Sequence, residues 1–359
     1  MRSRGCRAPG AVTGMQGSRV GRGCLTGQGA VLPDGRAIVS KGCSGDTGSM
    51  PRDEQAALLA LVSAAERLHI GRHRVAQLID SAGSAIGILE ASLSGFEPID
   101  VELADRLRSA TDSESVAAHR RWLDDLATKH PDVRLVTLLD DGYPTNLRQA
   151  YDRTPLLFVR GHLDPDTKRA IAVVGTRKPS PSGLDQAGRF AAGLAEAGVA
   201  VVSGLAAGID TAAHEAALEA RGTTIAVLGH GILTPVYPRS NTHLAIRIAS
   251  SGGGLVSQFW PTAPPSRASF PLRNVTTSAL SLGTVVVEAG ATSGARQQAR
   301  KCLEHGRQLF LLDQLVTHQA WARSYADRPG VAVVSNVSEV IARLDALGSS
   351  IEPVQLVLG

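Results

Sequence analysis

The stretch from Ile171 to Asp210 constrains this chain more than any other. An apolar run, Ile171-Ala-Val-Val174, stops at Gly175 and gives way to Thr176, Arg177, Lys178 and a Ser/Pro-rich loop. A helical stretch follows from about Leu184 to Ala197. A second β-branched run, Val199-Ala-Val-Val202, ends at Ser203-Gly204, and another helix begins near Asp210. Two short apolar strands joined by a crossover helix read as a βαβ unit. In open α/β sheets ligands sit outside the carboxyl ends of the strands. The residues at stake are therefore Gly175, Thr176, Arg177 and Lys178 after one strand, and Ser203 and Gly204 after the other.

The same alternation continues downstream. Thr223 to Leu228, Leu255 to Ser257, Thr284 to Glu288, Gln308 to Leu312 and Val331 to Val334 read as strands, and helices are expected from Thr242, Phe270, Ser293 and Val337. Strands separated by helices over this length predict an α/β fold with a doubly wound, mostly parallel sheet. Upstream, Arg134 to Leu139 and Thr154 to Gly161 read as two more strands around the turn at Tyr143-Pro144, whose Asp140-Asp141 pair is expected to be solvated. Before them, apolar residues at helical spacing from Asp53 to about Leu126 predict a small helical domain. Its Ile70-Gly71-Arg72 turn fits either a helix-hairpin-helix contact to phosphate or an ordinary αα-hairpin.

Residues 1–49 contain 12 of the 38 glycines and show no periodicity. Such a segment cannot bury enough surface to offset its ordering entropy. The expected division is a Gly/Arg-rich disordered extension over 1–49, with Met50 as an alternative start, a helical domain over 50–128, a Rossmann-like domain over 129–348 and a tail over 349–359. Residues 1–50 also hold seven Lys or Arg against Asp34 and Asp46, leaving 30 basic and 31 acidic residues in the remainder. A nucleic-acid surface on the folded part must then be a local patch rather than a bulk field. Cys6, Cys24 and Cys43 lie in the extension and Cys302 stands alone in a helical stretch, with no Cys/His spacing for zinc. No run of about 18 apolar residues suggests a membrane span. A cytoplasmic protein without metal or cofactor is expected.

Several enzyme signatures are missing. There is no G-x-x-x-x-G-K-[ST] and no G-x-G-x-x-G after a strand. Ser203, Asp210 and His214 could be drawn as a hydrolase triad, but Asp210 and His214 lie four apart on one helix and Ser203 lacks a nucleophile elbow. A helix cap at Asp210 is the better account. What the strand ends offer is anion chemistry. Besides the two loops already named, Arg273-Asn274 and Ser293-Gly294 are each expected to precede a helix, where free N–H groups and the dipole favour phosphate. Arg177 and Arg273 add bidentate donors. Either arginine alone reads better as an ion-pair partner of Glu288 or Asp210; four loops of the same chemistry shift the reading to phosphate.

The ordered series Val174-Gly-Thr-Arg177, Ser203-Gly-Leu-Ala-Ala-Gly-Ile-Asp-Thr-Ala-Ala-His214, Val227-Leu-Gly-His-Gly-Ile232, Tyr237-Pro-Arg-Ser-Asn241, Phe270-Pro-Leu-Arg-Asn274, Val287-Glu-Ala289 and Ser293-Gly294 resembles the DprA/Smf family of bacterial DNA-processing proteins. The resemblance covers about residues 55 to 345. It implies a non-enzymatic protein that binds single-stranded DNA on an extended Rossmann fold, protects incoming DNA in natural transformation, helps load a RecA-type recombinase and acts as a homodimer. By that resemblance Gly175, Thr176 and Arg177 match the phosphate-contacting loop, and Ser203-Gly204, Arg273-Asn274 and Ser293-Gly294 the other walls of the pocket.

This chain departs from the family pattern at Ala207, where a basic residue is usual, at Val275 in place of the last Arg of Arg-Asn-Arg, and at Ala295 in Ser-Gly-Ser. Two cations are thus removed, which predicts weaker and less salt-dependent phosphate binding. The competing reading is a Rossmann-like binder of nucleotide derivatives, or a hydrolase of nucleoside monophosphates like the cytokinin-activating LOG enzymes, with Glu288 as its base. The Gly252-Gly-Gly254 stretch lacks the Pro and Gly-Thr of their loop.

Overall fold

A computed structural model describes residues 50–90 and 98–349; the expected extension over 1–49 and the tail from 350 onward lie outside the described residues. Five helices come first: α1 (Arg52–Arg67), α2 (Arg72–Ala82), α3 (Ala85–Leu89), α4 (Pro98–Ser109) and α5 (Ser113–Lys129). Strands β1 (Val133–Thr137) and β2 (Leu156–Gly161) flank the short α6 (Thr145–Arg148). The alternating part follows as β3 (Ala170–Val174), α7 (Pro181–Glu196), β4 (Ala200–Ser203), α8 (Ile209–Glu219), β5 (Thr224–Val227), α9 (Thr242–Ser250), β6 (Gly254–Ser257), α10 (Ser269–Ala279), β7 (Gly283–Val286), α11 (Gly294–Glu304) and β8 (Gln308–Leu312). Helices α12 (Asp313–His318) and α13 (Ala320–Ala326), strand β9 (Val331–Val334) and α14 (Val337–Ser349) complete it.

The nine strands form one sheet in the order β1-β2-β6-β5-β4-β3-β7-β8-β9. All pairings from β6 to β9 are parallel, while β1–β2 and β2–β6 are antiparallel. The fold is the doubly wound, mostly parallel α/β architecture that the alternation predicts. Its central strands are apolar throughout because helices cover both faces, which leaves no wet side for alternation to mark; β3 and β4 are buried at every position. The chain winds outward from β3 through β4 and β5 to β6, then returns to β7 on the other side of β3. The switch in direction lies between β3 and β7, and there a parallel sheet opens a crevice at its carboxyl edge.

The helices before β1 pack against the antiparallel extension. Helix α1 is the most deeply buried of them, with Leu58, Leu59, Leu61 and Val62 all inaccessible. Trp122 of α5 meets Phe158 of β2 edge to face at 6.0 Å. Arg72, the basic residue of the Gly71 turn, points inward: it donates to the Gln258 carbonyl and to Glu66 and stacks on Trp260 at 5.6 Å. This turn is an αα-hairpin whose cation is consumed in packing. Asp140 also differs from expectation, being buried rather than solvated. Its carboxylate accepts from the Thr137 N–H and hydroxyl, both at 2.6 Å, and from Met50 N–H at 2.8 Å.

Candidate functional site

The loops after β3 and β4, together with helices α10 and α11 beside β7, enclose two adjoining cavities at the carboxyl edge of the sheet. The larger, about 400 Å³, is lined by Gly175, Thr176, Arg177, Lys178, Arg273, Asn274, Ser293 and Gly294. The smaller, about 80 Å³, is bounded by Arg177, Gly204, His230, Tyr237, Phe270 and Arg273. Residues spread over 120 positions of sequence are thereby brought to one place. Ser203 does not join them. It is fully buried and its hydroxyl donates to the Val173 carbonyl at 2.7 Å, tying β4 to β3.

The β3–α7 loop faces inward with its backbone and outward with its side chains. Thr176 N–H donates to the Glu288 carbonyl at 2.7 Å, and Lys178 N–H donates to the Thr176 hydroxyl at 3.2 Å. Those two amides, of Thr176 and Lys178, are spent within the fold and are not free for a phosphate. Gly175 itself is required by packing, since a Cβ there would stand 2.4 Å from Ile209 Cγ1. The anion chemistry of this loop resides in the exposed side chains of Arg177 and Lys178, which make no ion pair among the described residues.

Arg273 is placed differently from expectation. It does not precede a helix but lies in the second turn of α10. Ser266 and Ser269 exchange N–H to hydroxyl bonds of 3.0 Å each and start the helix earlier. The guanidinium is buried against Gly204, where a Cβ would lie 1.1 Å from Nη1; the missing side chain of Gly204 makes room for an arginine rather than for a phosphate. Nη1 donates to the Val227 carbonyl at 3.3 Å and stands 3.9 Å from Asp210 Oδ2, while Nε has no hydrogen-bond partner among the described residues.

Asp210 is likewise not the cap of α8. Gly208, at φ 86°, fills that position, and the Asp210 carboxylate folds back to accept from Gly204 N–H at 3.2 Å and Ala206 N–H at 3.3 Å. Leu205 between them holds φ 57°, a left-handed conformation uncommon for a non-glycine residue. Burial raises the Asp210 carboxyl against the pull of Arg273 and the two amides, and burial lowers Arg273 against the pull of Asp210. His214 below them donates from Nδ1 to the Thr224 hydroxyl at 2.7 Å, since that hydroxyl already donates to Val201. Its Nε2 is buried with no hydrogen-bond partner among the described residues, and burial together with the Arg273 charge pushes its pKa down to about 3. The Ser203 hydroxyl also bears on the Asp210 carboxylate, but His214 bonds to Thr224 and to neither of them, so the three form no triad.

The remaining expected residues close the far wall. Ser293 caps α11 by accepting from Arg296 N–H at 3.3 Å, and Asn274 Nδ2 donates to the Gly294 carbonyl at 3.4 Å. Sequence reasoning missed the aromatic wall. The Arg177 guanidinium lies over the Phe270 ring at 5.1 Å, and the half-exposed Tyr237 ring is 6.1 Å from Phe270. His230 positions Tyr237: its Nδ1 donates to the Gly231 carbonyl at 2.9 Å, leaving Nε2 to accept from Tyr237 N–H at 3.3 Å. Burial, reinforced by Arg273, lowers the His230 pKa and keeps that acceptor neutral. The available signal was scarcity: only 13 residues in the chain are Phe, Trp or Tyr, and two of them, Tyr237 and Phe270, stand two or three positions before an arginine.

Comparison with known proteins decides the family. The sequence model of DNA recombination-mediator protein A matches residues 134–344, more than half of the chain. This chain belongs to the DNA recombination-mediator protein A family. Among its relatives, Protein Smf of Escherichia coli is 40% identical over 199 residues, 55% of this chain and 52% of the relative. The chain therefore spans about half the length of that protein. The X-ray structure of DNA processing protein A (DprA) from Streptococcus pneumoniae superposes with a TM-score of 0.61 at 27% identity, covering 82% of this chain and 98% of that one. A structure of DNA processing protein A from Helicobacter pylori, described for its unique single-stranded DNA binding mode, superposes with a TM-score of 0.53 at 27% identity and covers 59% and 96%. The matched segment contains every residue of the two cavities.

Proposed function

We propose that the two cavities form one binding site for single-stranded DNA, without catalysis, and that the protein acts in DNA processing during natural transformation. The observation that carries this reading is the Arg177 guanidinium, in no ion pair among the described residues, stacked on Phe270 where both residues line both cavities. A cation beside an aromatic face takes a phosphate and the neighbouring base together, and base–aromatic stacking tolerates any sequence. Lys178 supplies a second contact to the backbone, and Tyr237 widens the stacking surface. The described part of the chain presents no bulk positive field, and the site is a recess between strand-end loops and helices α10 and α11 rather than a helix projecting to enter a groove; this favours an unpaired strand over a duplex. The single-stranded DNA binding described for the Helicobacter pylori relative supports the same reading. Family membership further supports action as a homodimer in the cytoplasm that passes DNA to a RecA-type recombinase.

The nucleotide-hydrolase alternative needs Glu288 as a free base. Its carboxylate instead accepts from both the N–H and the hydroxyl of Ser180. Fluorescence anisotropy with oligo-dT and a matched duplex, titrated in salt and repeated with AMP and ADP-ribose as competitors, tests the proposal. Oligo-dT is expected to bind more tightly than duplex and to resist both competitors. Equal or tighter duplex binding would sink it.

A further inference from the structure

Glu288 stands at the switch point and takes no part in the DNA contacts proposed for Arg177 and Lys178. In a doubly wound sheet the strand beside the switch feeds a helix whose N-terminus receives the phosphates of a bound nucleotide. Here that helix is α7, entered from β3, and the protein's own acid sits at its N-terminus. Glu288, two residues beyond the end of β7, reaches across the gap between β7 and β3. Its Oε2 accepts from Ser180 N–H at 3.0 Å and from the Ser180 hydroxyl at 2.9 Å.

The first turn of α7 is built around that carboxylate. Ser180 caps the helix by accepting from Gly183 N–H at 3.0 Å, and Pro181 at the next position has no N–H to offer. Gly183 is where any side chain would collide, because a Cβ there would stand 2.1 Å from Glu288 Oε2. The Glu288 backbone is held in place as well, its carbonyl accepting from Thr176 N–H at 2.7 Å. A cradle cut to fit, two donors and the positive end of a sixteen-residue helix all serve one internal anion.

We propose that Glu288 is a built-in occupant of the phosphate position at α7 and makes the switch point selective against the pyrophosphate of free nucleotides and dinucleotides. A pyrophosphate entering here would have to displace a carboxylate or stand beside a like charge at short range. Nucleic-acid phosphates instead meet the cations on the other side of the loop, Arg177 and Lys178. Glu288 is thereby a specificity-determining residue, and the assignment stands whether or not the neighbouring cavities take single-stranded DNA.

Titration of the full chain with inorganic pyrophosphate and with ADP, followed by calorimetry and by backbone amide shifts, tests this directly on Glu288→Ala and Glu288→Gln. The unaltered protein is expected to show no saturable binding at millimolar ligand and no shifts at Ser182 or Gly183. Glu288→Ala is expected to bind pyrophosphate at least about tenfold more tightly, with shifts at those two amides. Glu288→Gln keeps the acceptor oxygen for Ser180 and the shape but not the charge, so it should fold even if the alanine variant does not. It is expected to gain about threefold, as part of the same dipole and charge effect. Binding of pyrophosphate by the unaltered protein at Ser182 and Gly183, or no gain in the folded variants, overturns the proposal. Oligo-dT affinity measured on the same samples separates the two readings: its absence in the unaltered protein removes the DNA assignment alone.

Discussion

Two arginines of this site carry the same guanidinium and lead opposite lives. Arg177 is exposed, makes no ion pair among the described residues and stacks on Phe270. Arg273 is buried against Gly204, bonded to the Val227 carbonyl and facing Asp210. The first stands where the chain leaves a strand and its loop turns to water; the second stands on a helix face that packs over the sheet. The difference teaches that the site has a solvent-facing half suited to bind and a buried half suited to hold the loops in place.

The comparison breaks first on Arg273. Removing it leaves Asp210 buried without its cation, so Arg273→Ala should cost about 3–5 kcal/mol of unfolding free energy, as for one partner of a buried pair. Denaturant melts check this. Unchanged stability with abolished DNA binding would make Arg273 a ligand contact and erase the distinction. Arg177→Ala should do the reverse, leaving stability unchanged and costing about 1–3 kcal/mol of oligo-dT affinity. Its log-affinity against log-salt slope should become shallower by about 0.7, as for one lost phosphate contact on a single strand. Arg177→Lys should restore binding only in part, because an ammonium lacks the bidentate fork. A fall in melting temperature with intact binding would place Arg177 in the structural half.

His214 tests the buried half by pH. Its folded pKa of about 3 lies below the ordinary value near 6.5, so the unfolded chain takes up a proton that the folded one refuses. Stability is full above about pH 6.5 and falls as the pH drops toward 3; between pH 7 and 5.5 the loss from this one group is about 1 kcal/mol. His214→Leu should flatten that part of the profile, since Thr224 keeps its bond to Val201. An unchanged profile would show that the group does not titrate as its burial demands. The smallest effect is expected at Lys178, whose side chain is exposed and stacks on no aromatic ring among the described residues. Lys178→Ala should weaken oligo-dT binding by about 0.5 kcal/mol, the scale of an exposed charge contact. An effect matching that of Arg177→Ala would shift the contact along the loop.

Much of the architecture was legible because it is written in local periodicity. The strands β3, β4, β5, β7 and β8 carry mainly apolar residues at successive positions, the mark of strands covered on both faces. Helices α12 and α13 were not foreseen, since Asp313 to Ala326 mixes polar and apolar residues without a clear period. The pairing of β2 with β6 joins residues some hundred positions apart, which no local pattern encodes. Within the site, the order of motifs placed Arg177, Lys178, Asn274, Ser293 and Gly294 around one cavity. The same motifs said nothing of which arginine would be buried, because a side chain's environment depends on what distant elements bring to it.

Residue order and spacing were sufficient for the winding of the sheet, the membership of the family and the edge at which the loops gather. Tertiary packing alone decided that Ser203 ties two strands together, that Gly204 makes room for Arg273, and that Thr176 N–H is already spent. It also decided that the carboxylate of Glu288 closes the N-terminus of α7. Hydrogen-bonding capacity is a property of the residue, but whether that capacity is free is a property of its neighbours, and those neighbours arrive from strands and helices far away in the chain.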